Sequence, residues 1–94
     1  MMATKTKRND IYRLTIACRS IEAMESEQRE ERRTLQRVLA ESLRPLREEC
    51  GVSLRALAKL LGITPSYLSD IENDRRLPSA ATAAKIRAWV EGKK

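Results

Sequence analysis

The polar side chains between residues 66 and 70 are of types that can read the edges of nucleic-acid bases. If a helix begins at Pro65, Leu68 and Ile71 point inward and the residues between them stay accessible. A serine hydroxyl can donate to or accept from several base edges, an aspartate can accept from the amino group of cytosine, and a tyrosine hydroxyl can reach a phosphate. The predicted base-reading side chains are Ser66, Tyr67, Ser69 and Asp70.

Basic residues and a helix N-terminus beside this surface are suited to phosphate groups. The helix N-terminus at 64–65 is an anion site, and an arginine of the following loop can clamp a phosphate through two hydrogen bonds. The alternative for each arginine is an ordinary solvated surface charge, and the carboxylates of Asp70 and Asp74 oppose phosphate binding. The predicted phosphate contacts are Thr64, Arg75 and Arg76, with Arg55 and Lys59 on the preceding helix.

Residues 54–73 must position these side chains, and their pattern is that of two short helices joined by a tight turn. Small Ala58 lets the two helices approach closely, and Gly62 easily takes the positive φ that ends a helix. Thr64 is a suitable N-cap and Pro65 a suitable first helical residue. The side chains that fill the wedge between the helices are Leu57, Leu61, Ile63, Leu68 and Ile71. We predict a helix-turn-helix whose second helix enters a DNA major groove.

From Leu43 to Val90, about half of the chain, the sequence resembles the phage-repressor-like (Cro-like, also called XRE) helix-turn-helix family. The resemblance rests on a small residue, a glycine and aliphatic residues at set positions of the two helices, and on the segment that follows them. These residues are Ala58, Gly62, Leu68, Ile71, Glu72, Asn73 and Leu77-Pro78-Ser79. The resemblance implies an all-α fold, a small lambda-repressor-like helical bundle, here with an N-terminal extension.

The resemblance also implies roles for single residues. Thr64, Asn73 and the basic loop that follows match family residues that hold the sugar–phosphate backbone, so Asn73 joins the predicted phosphate contacts. Arg47 and Glu72 match a family pair that forms a salt bridge between the first and third helices, and we interpret this pair as structural.

At three positions the chain departs from the family pattern. Relatives commonly have glutamine where this chain has Leu54 and Pro65, and usually glycine where it has Asp74. Leucine and proline cannot make the phosphate and adenine contacts that glutamine supports. The operator sequence is therefore not predicted.

Composition narrows the class of function. The 94 residues carry a net charge of +6 and include 3% aromatic residues and no histidine. The charge suits a polyanion, and the few aromatics disfavour readers of single strands that stack bases. Without histidine, the commonest general base and zinc ligand are missing. We predict a protein without enzymatic activity, metal, cofactor or small-molecule ligand, with Cys18 and Cys50 as reduced thiols.

The chain has neither an 18-residue apolar run nor a signal-peptide core. We therefore expect a soluble, cytoplasmic protein without a membrane partner. We divide it into an N-terminal arm and interaction segment at residues 1–34 and a DNA-binding domain at residues 35–94. The first ten residues, with Lys5, Lys7 and Arg8, have nothing to bury and are predicted to be unstructured. They are either a basic arm that lies along DNA or a solvated tail.

Residues 11–19 fit two periodicities. The strand face would consist of Tyr12, Leu14, Ile16 and Cys18, and the helical stripe of Ile11, Leu14, Cys18 and Ile21. Threonine, isoleucine and tyrosine lean towards a strand, so we predict a short strand. Because a lone strand is not stable, we predict that its apolar face pairs with a second copy of the chain.

A long charged helix is predicted over residues 20–43, with Ser20 as its N-cap. Residues 25–34 offer no apolar face and are expected to be solvated, with pairs four residues apart such as Glu25–Arg29. Pro45 either kinks this helix or begins a new one. The apolar residues that should pack on the helix-turn-helix are Leu35, Val38, Leu39, Leu43 and Leu46.

The sequence thus predicts a transcriptional regulator that binds double-stranded DNA, and more specifically a repressor that binds a palindromic operator as a homodimer. The alternative is an antitoxin that has the same DNA-binding domain and whose residues 11–33 fold on a toxin protein. An enzyme and a purely protein-binding helical module are the remaining classes.

Overall fold

The computed structural model describes residues 2–24 and 29–92, with the backbone alone for residues 2–10 and 29–30. Within these ranges it has no strand and five helices: α1 (Met2–Ala23), α2 (Arg29–Glu49), α3 (Leu54–Leu61), α4 (Pro65–Glu72) and α5 (Ala80–Glu91). The predicted all-α helix-turn-helix bundle is confirmed.

All five helices contribute to one hydrophobic core. α1 packs against α2 and α5, α4 packs against α2 and α3, and α3 also contacts α5. The buried apolar residues are Leu14, Ala17, Cys18 and Ile21 of α1, Leu39, Leu43 and Leu46 of α2, Leu57, Ala58 and Leu61 of α3, Leu68 and Ile71 of α4, and Ala83, Ile86 and Val90 of α5. α4, the second helix of the helix-turn-helix, is therefore seated on a core to which α1 also contributes.

The predicted short strand at residues 11–19 is wrong, because this segment lies inside α1. The helical stripe is the pattern that the fold uses, since Leu14, Cys18 and Ile21 are all buried. A helix satisfies its backbone hydrogen bonds within the segment, whereas a lone strand would leave them unpaired. Burial against α2 and α5 outweighs the modest strand preference of the residue types.

The predicted unstructured tail is also helical, because α1 begins at Met2. Ser20 lies inside α1 and is not the N-cap of a new helix. The long helix predicted over residues 20–43 is instead two helices, since α1 ends at Ala23 and α2 begins at Arg29. The side chains of the predicted basic arm, Lys5, Lys7 and Arg8, and the predicted Glu25–Arg29 pair lie outside what the structure describes.

α2 runs without interruption from Arg29 to Glu49 and contains Pro45, so no new helix begins at this proline. Pro45 is exposed. Its missing N–H therefore leaves a carbonyl free on the solvent side of the helix, where water can satisfy it. The predicted domain boundary between residues 34 and 35 falls inside α2, and this division remains a prediction.

Candidate nucleic-acid interface

The turn between α3 and α4 has the geometry that its sequence predicts. Gly62 has a φ of 71°, and the Ile63 N–H donates to the Ala58 carbonyl at 3.0 Å. The Thr64 hydroxyl accepts from the Tyr67 N–H at 3.1 Å and caps α4. Ala58 is buried in the core. These contacts fix the direction in which α4 leaves the turn.

α4 presents a polar face away from the core. Leu68 and Ile71 are fully buried, whereas Ser66 is exposed. Three further side chains of the predicted base-reading set are half-buried: Tyr67, Ser69 and Asp70. The structure thus brings all four predicted base-reading residues onto one short helix, with Ser66 the most open of them.

Tyr67 is held by the residues that follow α4. Its hydroxyl oxygen accepts a hydrogen bond from the Ser79 N–H at 3.1 Å. The guanidinium carbon of Arg76 lies 5.3 Å from the centre of the tyrosine ring, in cation–π contact. The hydroxyl proton of Tyr67 is still available to an acceptor such as a phosphate oxygen. Arg76 is exposed but lies against this ring.

The other predicted contacts at the end of α4 are also interconnected. The Asn73 side-chain amide donates to the Ser69 carbonyl at 2.8 Å and to the Ser69 hydroxyl at 3.2 Å. The Arg75 guanidinium lies 3.7 Å from the Asp70 carboxylate. Asp70 therefore offsets part of the positive charge of Arg75. A carboxylate here would weaken the attraction of Arg75 for a phosphate.

Asp74 has a φ of 61°, and it is the one non-glycine residue in the described ranges with a positive φ. Gln36 of α2 stabilises this turn, since its side-chain amide donates to the Asp74 carbonyl and to the Asp74 carboxylate, each at 3.0 Å. The role of Gln36 was not predicted from the sequence. The clue in the sequence was Asp74 itself, which stands where relatives usually have glycine. A non-glycine residue in the left-handed conformation is strained and needs a partner to hold it there.

Arg47 and Glu72 form a buried bidentate ion pair. The Arg47 Nε and Nη2 atoms lie 2.7 Å and 3.0 Å from the two carboxylate oxygens of Glu72, and Nη1 donates to the Val52 carbonyl at 2.9 Å. The hydrogen bond to Glu72 raises the pKa of Arg47 above its already high ordinary value. The pair ties the last residue of α4 to α2, so it orients the recognition helix.

Arg55 and Lys59 are exposed on α3. Neither forms an ion pair within the part of the chain that the structure describes. Both are free to contact a phosphate, and their predicted role stays a prediction.

The four residues predicted to form a dimer face do not share one face. Leu14 and Cys18 are fully buried in the protein's own core, whereas Tyr12 and Ile16 are 67% and 45% exposed on the outer side of α1. The apolar face predicted from alternation is therefore wrong, because helical periodicity sends alternate residues to different sides.

Over residues 2–24 and 29–92, no group of three or more metal-ligating side chains is found. Nor is any helix of these ranges long and apolar enough to cross a membrane.

Comparison with known proteins agrees with this geometry. The family model described as "Helix-turn-helix" matches residues 43–88. The chain is also 43% identical, over 44 residues, to the "ImmF control region 10 kDa protein" of Bacillus phage phi105. The matched segment covers 47% of this chain and 49% of that protein, so the chain spans about half the length of this curated relative. No solved structure matches the chain. Residues 43–88 are therefore similar to the phage-repressor-like (Cro-like, XRE-type) helix-turn-helix family, and both matches support the resemblance seen in the sequence.

Proposed function

We propose that the protein is a transcriptional regulator that binds double-stranded DNA through α4. The observation that carries this proposal is the polar face of a capped, rigidly seated recognition helix, with Ser66 exposed while Leu68 and Ile71 are buried. The match of residues 43–88 to the helix-turn-helix family model supports this proposal, and so do the words "control region" in the name of the phage relative.

In this proposal, Ser66, Tyr67, Ser69 and Asp70 contact base edges, and the surrounding residues contact phosphates. Arg75 and Arg76 follow α4 directly, and the net charge of +6 favours approach to a polyanion. Arg76 is the better placed of the two, because it lies against the Tyr67 ring while Asp70 shares the charge of Arg75. Thr64, Asn73, Arg55 and Lys59 complete the proposed phosphate contacts.

We further propose that the protein acts as a repressor and binds a palindromic operator as a homodimer. One recognition helix reads only a few base pairs, which is too little for useful specificity, and a two-fold dimer doubles the site. Tyr12 and Ile16, exposed one turn apart on α1, could meet a second copy. α5 offers the alternative surface.

Selection from a randomised duplex library with the purified protein tests the proposal. A recovered site would give specificity, symmetry and half-site spacing together, and failure to enrich any sequence would contradict sequence-specific binding. Ser66→Ala should change the sequence preference, with roughly 1–3 kcal/mol lost for a base contact.

Arg75→Ala with Arg76→Ala should instead weaken binding to all duplexes about equally and make the affinity less dependent on salt. Arg13→Ala with Arg19→Ala is a control that also removes two positive charges, since both arginines lie on α1, where they contact Glu41 and Glu91. If the double variant altered only the preference for one sequence, these arginines would be base readers.

The antitoxin alternative was motivated by an N-terminal extension outside the family pattern, and residues 11–33 do lie outside the matched residues 43–88. Leu14, Cys18 and Ile21 of that segment pack in the protein's own core, which leaves less of it for a toxin partner. Co-purification of a toxin encoded beside the gene would restore it. The expected cytoplasmic location and lack of enzymatic activity remain predictions.

A further inference from the structure

A groove lies beside α4 and shares Tyr67 with the face that is proposed to read bases. It has a volume of about 470 Å³ and is open to solvent. Its apolar lining residues include the half-buried Leu77 and the buried Ile21 and Pro78. Two guanidinium groups line it, one from Arg76 and the other from Arg32 on the first half of α2. The N-terminal extension therefore shares a surface with the residues that follow the recognition helix.

The groove is suited to an anion. Among the side chains that the structure describes, those lining the groove include no aspartate or glutamate. Arg76 lies over the ring of Tyr67, which also lines the groove. Arg32 is exposed and forms no ion pair with a side chain of residues 11–24 or 31–92. Two arginines with planar donor groups can bind phosphate oxygens with two hydrogen bonds each.

We propose that this groove binds the sugar–phosphate backbone of duplex DNA next to the segment read by α4, and that Arg32 contacts a phosphate there. This inference rests on the proposed function. Tyr67 and Arg76 belong both to the groove and to the proposed interface, so a DNA strand that passes α4 reaches the groove without a gap. In this proposal, deoxyribose C–H groups contact Leu77, and the phosphates contact Arg32 and Arg76.

The consequence is a DNA footprint wider than that of the helix-turn-helix alone. Arg32 lies outside residues 43–88, the part of the chain that the family model matches. Phosphate contacts carry no sequence information directly but add affinity and salt dependence. The N-terminal extension thus strengthens binding to every sequence while the operator preference stays with α4.

The experiment compares Arg32→Ala with Arg33→Ala, which removes the same charge from the next residue of α2, outside the groove lining. The probes are an arbitrary duplex of about 30 base pairs and the site recovered by selection, each titrated at several salt concentrations. We expect Arg32→Ala to weaken binding to both probes roughly threefold to tenfold, and to lower the slope of log affinity against log salt by about 0.9. Arg33→Ala should leave both quantities close to the wild-type values. Circular dichroism checks that both variants remain folded.

Equal behaviour of Arg32→Ala and Arg33→Ala, with wild-type binding intact, would overturn the groove proposal and leave the proposed function standing. A loss confined to the selected site would make Arg32 a base reader and also overturn it. The proposal would also be overturned if Arg32→Ala left DNA binding unchanged but lost affinity for a co-purifying acidic protein, because the groove would then be a protein-docking surface. If the wild-type protein bound no duplex at any salt concentration, the proposed function itself would fail.

Discussion

The contact between Gln36 and Asp74 should decide how stably the loop with Arg75 and Arg76 is held. Gln36→Met keeps the length of the side chain and its helix preference but removes the amide that donates to Asp74. Asp74→Gly removes the carboxylate acceptor, and it also relieves the left-handed conformation at a φ of 61°. The two substitutions and their combination form a double-mutant cycle.

The magnitude follows from two hydrogen bonds of 3.0 Å at an exposed site. Each is worth roughly 0.5–1 kcal/mol there, so Gln36→Met should cost about 1–2 kcal/mol of unfolding free energy. Asp74→Gly loses one bond but gains about 1 kcal/mol of relieved backbone strain, so its net effect should be near zero. In the Asp74→Gly background, Gln36→Met should cost only about half as much, because the carbonyl bond alone remains.

Thermal and urea unfolding followed by circular dichroism measure these differences. For a domain of this size, 1 kcal/mol corresponds to a shift of about 4–8 °C in the melting temperature. Arg37→Met, at the next and exposed position of α2, controls for the introduction of methionine. An equal cost of Gln36→Met in both backgrounds, or none in either, would refute the reasoning that Gln36 holds Asp74.

Three further predictions concern α1 and the cysteines. Burial raises the pKa of the Cys18 thiol to about 12, so a thiol reagent should label Cys50 in the native protein and Cys18 only after unfolding. Arg87 of α5 donates a hydrogen bond to Glu22 and so holds the pKa of this carboxyl below its ordinary value of 4.5. The stability that this ion pair adds is present above pH 4.5 and is lost as the pH falls through the lowered pKa. Glu22→Gln should therefore make the loss of stability in acid less steep. Leu14→Asp should cost about 4 kcal/mol or more and unfold much of the protein, whereas Ile16→Asp should cost less than about 1 kcal/mol.

Each of these predictions has a result that contradicts it. Rapid labelling of both cysteines in the folded protein would place Cys18 outside the core. An acid denaturation profile of Glu22→Gln as steep as that of the wild type would mean that the ion pair with α5 adds nothing. A folded Leu14→Asp variant, measured by circular dichroism, would contradict the packing of α1 against α2 and α5.

The helix-turn-helix could be predicted because its signals are local. The turn at Gly62, the cap at Thr64 and the proline at 65 each act within one turn of helix, and all three have the predicted geometry. The bond between Gln36 and Asp74 joins residues 38 positions apart, and no local pattern links them. The ion pair of Arg47 and Glu72 spans 25 positions and was accessible only through the family resemblance.

The secondary structure of α1 could not be decided from its own residues. The apolar residues between 11 and 19 fit the two-residue repeat of a strand and the repeat of a helix almost equally well. The weak strand preference of the residue types therefore decided the prediction. The deciding factor is the apolar surface of α2 and α5, which covers Leu14, Cys18 and Ile21 only if they lie on one side of a helix. Because that surface comes largely from residues far away in the sequence, a local pattern could not reveal it.

The packing of α1 on α5 sets an order for folding. Glu22 contacts Arg87, 65 positions away, and Arg19 contacts Glu91, 72 positions away, whereas the turn between α3 and α4 closes over a few residues. Closing a long loop costs more chain entropy than closing a short one, so we expect the helix-turn-helix to form before α1 docks on α5. During synthesis α1 is made before α5, which covers part of its apolar stripe. Pulsed labelling of the Cys18 thiol during refolding would measure how long that stripe stays open to solvent, to a protease or to a competing partner.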